Sequence, residues 1–457
     1  MVAVTYVGLL GFMLFIEIIR KKTGKLDFLS LGHFMFSLSY AIPGFLLEAN
    51  LGNSSYEMTL NGLNYTSNIQ TIFAVFTGYL VLLIGFYTKS AISCGKKVTF
   101  KKSNNKYVLW YSFLLLIISS LAIYIYGAQY GGVLNAMANI TLIRSNAGVD
   151  SGPLVFVKHF MYCSLFASYL LASFAFGEIK SKPFKIFLRV GFFSSVIVAF
   201  IASTLSGGRA ILIYYFFGFY LIYVLKGGKT FTWKTIPIFG FGALFLLYGK
   251  EFFWSLSAID SGFDAVVDKF IEAKNSDSSD EEFSIYKLMA NFAFPIQSLD
   301  TAFDQYYSFR FFVDWIYGFL SFIPEKIFNI NKPETISIIN TRYILSTKGS
   351  LSYEIPTGFL AFAVYSLSWP GLLIVSYCYG WIGRYLQSIL IKNMAENPWI
   401  IYLYALTMQV WVDYQQSGDP RVFLVANFWY IMSTLALLIL VNQELLIPKR
   451  KRKSHVY

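Results

Sequence analysis

Eleven apolar runs, of about the length needed to cross 30 Å of hydrocarbon, occur at residues 2–19, 28–47, 71–88, 107–126, 153–176, 186–205, 209–225, 235–254, 357–382, 398–412 and 422–443. In lipid, every backbone polar group has to be satisfied within the protein, so runs of this kind are expected as helices. Composition points the same way. Hydrophobic residues make up 56% of the 457 and charged residues 14%, where a soluble domain carries about 25%. The expected fold is an all-α polytopic integral membrane protein with about eleven transmembrane helices. The apolar N-terminus lacks a basic leading region and a small-residue cleavage site, so it is expected as a spanning helix.

Lysine and arginine set the expected orientation. Segments 20–27, 89–106, 178–189, 226–234, 383–398 and 449–453 carry 24 of the 37. The alternate short connections 48–70, 127–152, 206–209 and 413–421 carry 0, 1, 1 and 1. Under the positive-inside rule, the N-terminus is expected outside and the basic tail inside. The net charge of +12 then serves mainly topology, and no nucleic-acid partner is expected. Membrane lipids are.

The chain divides into transmembrane helices 1–8 (1–254), a large, partly helical external loop (255–355), helices 9–11 (356–447) and a basic inner tail (448–457). The loop carries an acidic, Ser-rich stretch at Asp277, Asp280, Glu281 and Glu282. Aromatic and charged residues alternate at helical spacing over 283–309 and 310–328, as in helices lying on a membrane surface. The run at 357–382 is expected to break near Trp369-Pro370. Residues 186–205 and 209–225, joined through Ser206-Gly207-Gly208, form a tight hairpin.

Several chemistries are not supported. Three cysteines and three histidines form no CxxC, HExxH or clustered set. There is no phosphate loop of the GxxxxGK type and no DxD, so no metal site and no cofactor is expected.

The short external connections otherwise exclude cations, which makes their few arginines informative. Arg144, Arg209 and Arg421 sit beside glycines or a proline, where backbone can approach a ligand. Arg310 and Arg342 lie in the large loop. A guanidinium offers five donors in a fixed fork that matches phosphate oxygens, so these five are candidates for holding a pyrophosphate. Arginines at helix ends also simply snorkel. Glu354, Asp413 and Asp150 are candidate general bases. Asp419 could serve too, although Asp419-Pro420 suits a turn and Asp150 could cap the helix starting at Pro153.

Eleven spans, one large external loop before the last three, and the Ser206-Gly-Gly-Arg209 turn resemble the oligosaccharide repeat-unit polymerases of bacterial surface polysaccharides, the O-antigen polymerase (Wzy) family. Ile355-Pro-Thr-Gly-Phe-Leu-Ala-Phe-Ala-Val-Tyr365 followed by Trp369-Pro-Gly371 is similar to the family's segment after the large loop. The resemblance implies a glycosyltransferase on the periplasmic face of the inner membrane. It would move a growing glycan from undecaprenyl pyrophosphate to the non-reducing end of an incoming lipid-linked repeat unit, with a chain-length regulator as a possible partner. The family's functional arginines map onto Arg144 and Arg209, and more loosely onto Arg310 or Arg342 and onto Arg421. The chain departs from the family pattern in having nothing acidic between Glu354 and Glu396. The Arg-x10-Gly spacing of some members is also absent at Arg144 and Arg342. Two alternatives stay open: a ligase that moves finished glycan to another lipid, and, from a different class, a lipid-linked oligosaccharide flippase.

Overall fold

The computed structural model describes residues 2–22, 24, 26–49, 68–102, 104–144, 154–176, 182–230, 232–233, 235–276, 285–305, 307–323, 333–345 and 354–443. Among these it is all-helical, with no strand. Six helices are long and apolar enough to cross a membrane, or seven if one bent pair counts as a single span. Among the described residues, each of the eleven apolar runs lies largely on helix. The difference lies in interruptions: residues 155–175, for example, form three short helical pieces.

In chain order the elements needed below are α1 (Val2–Ile19), α2 (Phe28–Ala49), α3 (Ile69–Tyr87), α4 (Lys89–Lys97), α5 (Ile140–Arg144), α6 (Lys182–Thr204), α7 (Arg209–Leu225), α8 (Ile236–Ser255), α9 (Phe263–Ser276), α10 (Ile285–Asp304), α11 (Val313–Leu320), α12 (Ile336–Leu345), α13 (Gly358–Met394), α14 (Ile400–Ser417), α15 (Pro420–Ala426) and α16 (Phe428–Gln443).

The centre of the molecule is α13, which is a hairpin. Leu367 (φ −159°, ψ 33°) and Ser368 (φ 50°, ψ −138°) leave the helical region. The Phe359 and Tyr379 rings lie 5.1 Å apart, whereas twenty residues of straight helix would separate them by about 30 Å. The first arm, residues 358–366, is wholly buried, and the second runs from Trp369 to Met394. The expected break at Trp369-Pro370 therefore falls two residues earlier. Proline restricts the residue before it and is tolerated in a first helical turn, so Pro370 begins the second arm well. The tip is tied down from outside: the Arg310 and Phe311 amides donate to the Tyr365 and Ser366 carbonyls (3.2 and 2.9 Å). Phe311, Phe312 and Ser368 all have positive φ there.

Small residues let the second arm meet α3 in parallel. A Cβ on Gly78 would lie 2.6 Å from Leu360 Cδ2 and 3.4 Å from Ser376 Oγ, and Gly85 and Gly380 press on the backbone at Tyr377 and Leu82. Such close approach is how helices associate in lipid, where apolar burial alone gives little drive.

The segment between α8 and α13 is more deeply integrated than helices lying on a surface. In α10, Ala293, Ile296 and Leu299 are fully buried, and Pro295 packs on Gly358. Their apolar face meets the first arm of α13 instead of lipid headgroups. Residues 277–284, 324–332 and 346–353 of that segment, and the basic tail 448–457, lie outside the described residues.

Candidate functional site

Gly418 ends α14 with φ +60° and presses on the backbone of Gly358, which has φ +70°. Gly358 begins the first arm, and the ring of its neighbour Phe359 packs against Tyr379. Tyr379 lies ten residues, about 15 Å of helix, from Trp369 at the hairpin tip. The turn at 418–421 is therefore recessed by roughly that depth from the tip. From it the chain leaves along α15 and bends by 61° into α16.

Asp419 organises this turn. It is fully buried. Its Oδ1 accepts from the Arg421 and Val422 amides (2.8 and 3.3 Å), capping α15, while Oδ2 accepts from the Ser337 amide and hydroxyl (3.1 and 2.8 Å). Pro420 occupies the first helical position, where a missing N–H costs nothing. Burial pushes the Asp419 carboxyl above its ordinary pKa, and the four hydrogen bonds oppose that.

Glu354 stands beside it. Thr335 Oγ1 donates to Glu354 Oε2 (3.1 Å) and accepts from the Ile338 amide (3.0 Å). The following residues are clamped. The Ile355 amide donates to Thr341 Oγ1 (2.7 Å), Asn340 Nδ2 donates to the Ile355 carbonyl (3.1 Å), and Ser298 Oγ donates to the Pro356 carbonyl (3.2 Å). The Glu354 pKa is raised, first by partial burial and also by the charge of Asp419, against the lowering effects of Thr335 and Arg421. Arg421 Nη1 donates to the Pro333 carbonyl (2.9 Å). A carboxylate with a raised pKa beside a guanidinium can act as a base next to a bound anion.

A second polar group lines one face of α14. Asp413 accepts from Asn427 Nδ2 (2.9 Å) at the bend between α15 and α16. Gln409 Nε2 donates to the Tyr214 carbonyl (2.8 Å), and the Tyr214 hydroxyl donates to Gln416 Oε1 (3.2 Å). Five residues before Tyr214 on α7, Arg209 Nη1 donates to the Leu246 carbonyl of α8 (2.8 Å).

The structure thus brings Glu354 and Arg421 together around Asp419, with Arg310 in the same electrostatic neighbourhood. Arg310 forms a two-point ion pair with Asp314 (2.7 and 2.5 Å). Arg342 pairs in the same manner with Glu334 (2.6 and 2.7 Å). Asp413 and Arg209 lie on α14 and α7 and make their contacts there. Arg144 is the last residue of α5, and Asp150 lies outside the described residues. Sequence reasoning passed over Thr335, Ser337, Asn427 and Tyr214. An Asp-Pro pair opening an apolar helix is a legible cap signal, but nothing local marks its partner 82 residues away. Among the described residues, no group of three His, Cys, Asp or Glu side chains could hold a metal.

The fold and site define an all-helical protein with helices suited to crossing a membrane and a recessed polar centre. No family model, no curated protein and no solved structure matches the chain.

Proposed function

We propose that this chain is a glycosyltransferase of the bacterial inner membrane that polymerises lipid-linked oligosaccharide repeat units at the periplasmic face. The supporting observation is the convergence of Glu354, held by Thr335, and Arg421, held by the Pro333 carbonyl, around the buried Asp419, whose turn is recessed by about 15 Å of helix between a folded-back hairpin and a bent helix pair. Charged groups at such depth are costly unless they face protein or a water-filled cleft. A cleft of this kind suits a sugar carried on a lipid, with the chain outside in the bilayer and the glycan within. In this reading eleven segments cross or enter the membrane, with the N-terminus outside and the basic tail inside.

Glu354 takes the proton from the non-reducing-end hydroxyl of the incoming unit. The bond between the anomeric carbon and the pyrophosphate oxygen breaks as the new glycosidic C–O bond forms, and undecaprenyl pyrophosphate departs. Arg421, with Arg209 and Arg144, neutralises the leaving charge. Asp413 or Asp150 would be the base if Glu354 is not. Losing one preorganised donor to developing charge costs on the order of 10²–10³ in rate.

The test is reconstitution of the purified protein with undecaprenyl-pyrophosphate-linked repeat units. Long glycans and released undecaprenyl pyrophosphate are expected, and neither with Glu354→Gln. A second reading, a flippase for the same lipid-linked unit, draws on the bent pair α15–α16 and the folded-back α13, since discontinuous helices recur in transporters. Leaflet exchange without chain growth would favour it. Growth only onto a different lipid acceptor would favour the ligase.

A further inference from the structure

We propose that Arg384, at the basic end of the bundle, binds the phosphate of an anionic phospholipid. Arg384 lies on the second arm of α13, fifteen residues or about 22 Å from Trp369, and thus toward the far side of a hydrocarbon layer about 30 Å thick. Its guanidinium sits 5.3 Å from the centre of the Phe86 ring. Its Nε is buried without a hydrogen-bond partner, and among the described residues it has no ion pair.

The acids nearby are already engaged. Asp27, the closest in electrostatic terms, gives both carboxylate oxygens to Arg20 (2.7 and 2.6 Å) and also accepts from the Ser30 amide (2.9 Å). Glu17 is taken by Arg20, Lys22, Ser30 and His33. Tyr87, Tyr404 and the already paired Arg20 make up the rest of the electrostatic surroundings of Arg384. A half-buried cation stacked on an aromatic ring, with its neighbours' charges satisfied, calls for an anion from outside the chain.

The setting indicates a lipid as the source. Ile84 and Tyr87 on α3 are exposed beside Phe86 and offer an apolar wall for acyl chains. Trp381 stacks on Tyr385 (5.2 Å) and donates to Ser90 Oγ (2.9 Å), an arrangement suited to the headgroup level. Beyond it, α4 with Lys89, Lys96 and Lys97 packs along α13, where a Cβ on Gly95 would lie 2.7 Å from Ser388 Cβ. These lysines raise the local concentration of anionic lipid, and the fork of Arg384 matches a phosphodiester.

The test uses the full chain in detergent, with bound lipid read by native mass spectrometry and thermal unfolding followed with added dioleoyl phosphatidylglycerol, dioleoyl phosphatidylcholine or inorganic phosphate. Phosphatidylglycerol is expected to be retained and to stabilise; phosphatidylcholine and phosphate are not. Arg384→Gln is expected to weaken phosphatidylglycerol binding about tenfold, and Lys182→Gln, at the start of α6, to leave it within about twofold. Should Arg384→Gln not assemble, Arg384→Lys keeps the charge but not the fork, and a loss of about threefold is expected. Undiminished binding in both Arg384 variants, or equal binding of the two lipids, overturns the assignment. Equal stabilisation by inorganic phosphate overturns the lipid as source.

Discussion

Gly418 and Gly358 meet backbone to backbone, each with positive φ, where the end of α14 touches the start of the buried arm of α13. A side chain at either position would strain its own backbone; at Gly418 it would run into the Gly358 backbone, and at Gly358 into Pro295 and Tyr40. Through this contact, the turn holding Asp419 and Arg421 is fixed against the segment holding Glu354.

Replacing Gly418 with alanine tests that contact. Left-handed backbone costs an alanine about 1–2 kcal/mol, and the overlap with Gly358 adds roughly 1–3 kcal/mol. A clear fall in the thermal midpoint of the detergent-solubilised protein is expected. Unchanged unfolding would show that the two turns do not depend on each other.

The pH profile of chain growth tests Glu354. As a base it acts ionised, so the rate should fall as pH drops through its raised pKa. Thr335 donates to the ionised carboxylate and favours it. Thr335→Val should therefore raise the pKa further and move the acid limb to higher pH. Glu354→Gln should cost about 10²–10⁴ in rate. An acid limb unmoved by Thr335→Val would point to another base.

The Arg310–Asp314 pair should behave as a buried unit. Asp314 is 2% exposed, so Arg310→Ala leaves a buried carboxylate without its counter-charge, at about 3–5 kcal/mol. The double variant Arg310→Ala/Asp314→Ala should recover part of that loss. Unfolding midpoints of the two single variants and the double variant measure the coupling, and additive effects would contradict it.

Asp300 links stability to pH. It accepts from the Asn68 amide (2.8 Å) and the Thr71 hydroxyl (2.7 Å), and burial, first among the causes, raises its pKa to about 6. A carboxyl whose folded pKa is raised stabilises the fold at low pH and loses that contribution as pH rises through the folded value. Between about pH 4 and 7 the loss is on the order of 2 kcal/mol. Asp300→Asn keeps an oxygen acceptor for both donors and should flatten that part of the stability curve. An identical slope in the variant would place the titration elsewhere.

Much of the helical content was legible because apolar runs of spanning length have few alternatives in lipid. The fold-back of α13 was not. Residues 358–366 read as the opening of one long run, and the turn at Leu367-Ser368 has neither a glycine nor a proline within it. The same holds for the site. Glu354 and Arg421 stood out singly, as charges where few are tolerated, but their proximity depends on contacts between distant segments. The Arg310–Asp314 pair sits at ordinary helical spacing. The Arg342–Glu334 pair spans eight residues and reaches back past the start of α12, which no local pattern signals.

The central claim is chain growth by this protein, and surface polysaccharide from cells lacking the gene tests it most directly. On an SDS gel, the predicted result is core bearing a single repeat unit, with the ladder restored by the wild-type gene and not by Arg421→Ala or Glu354→Gln. An unchanged ladder in the deletion strain would contradict the account.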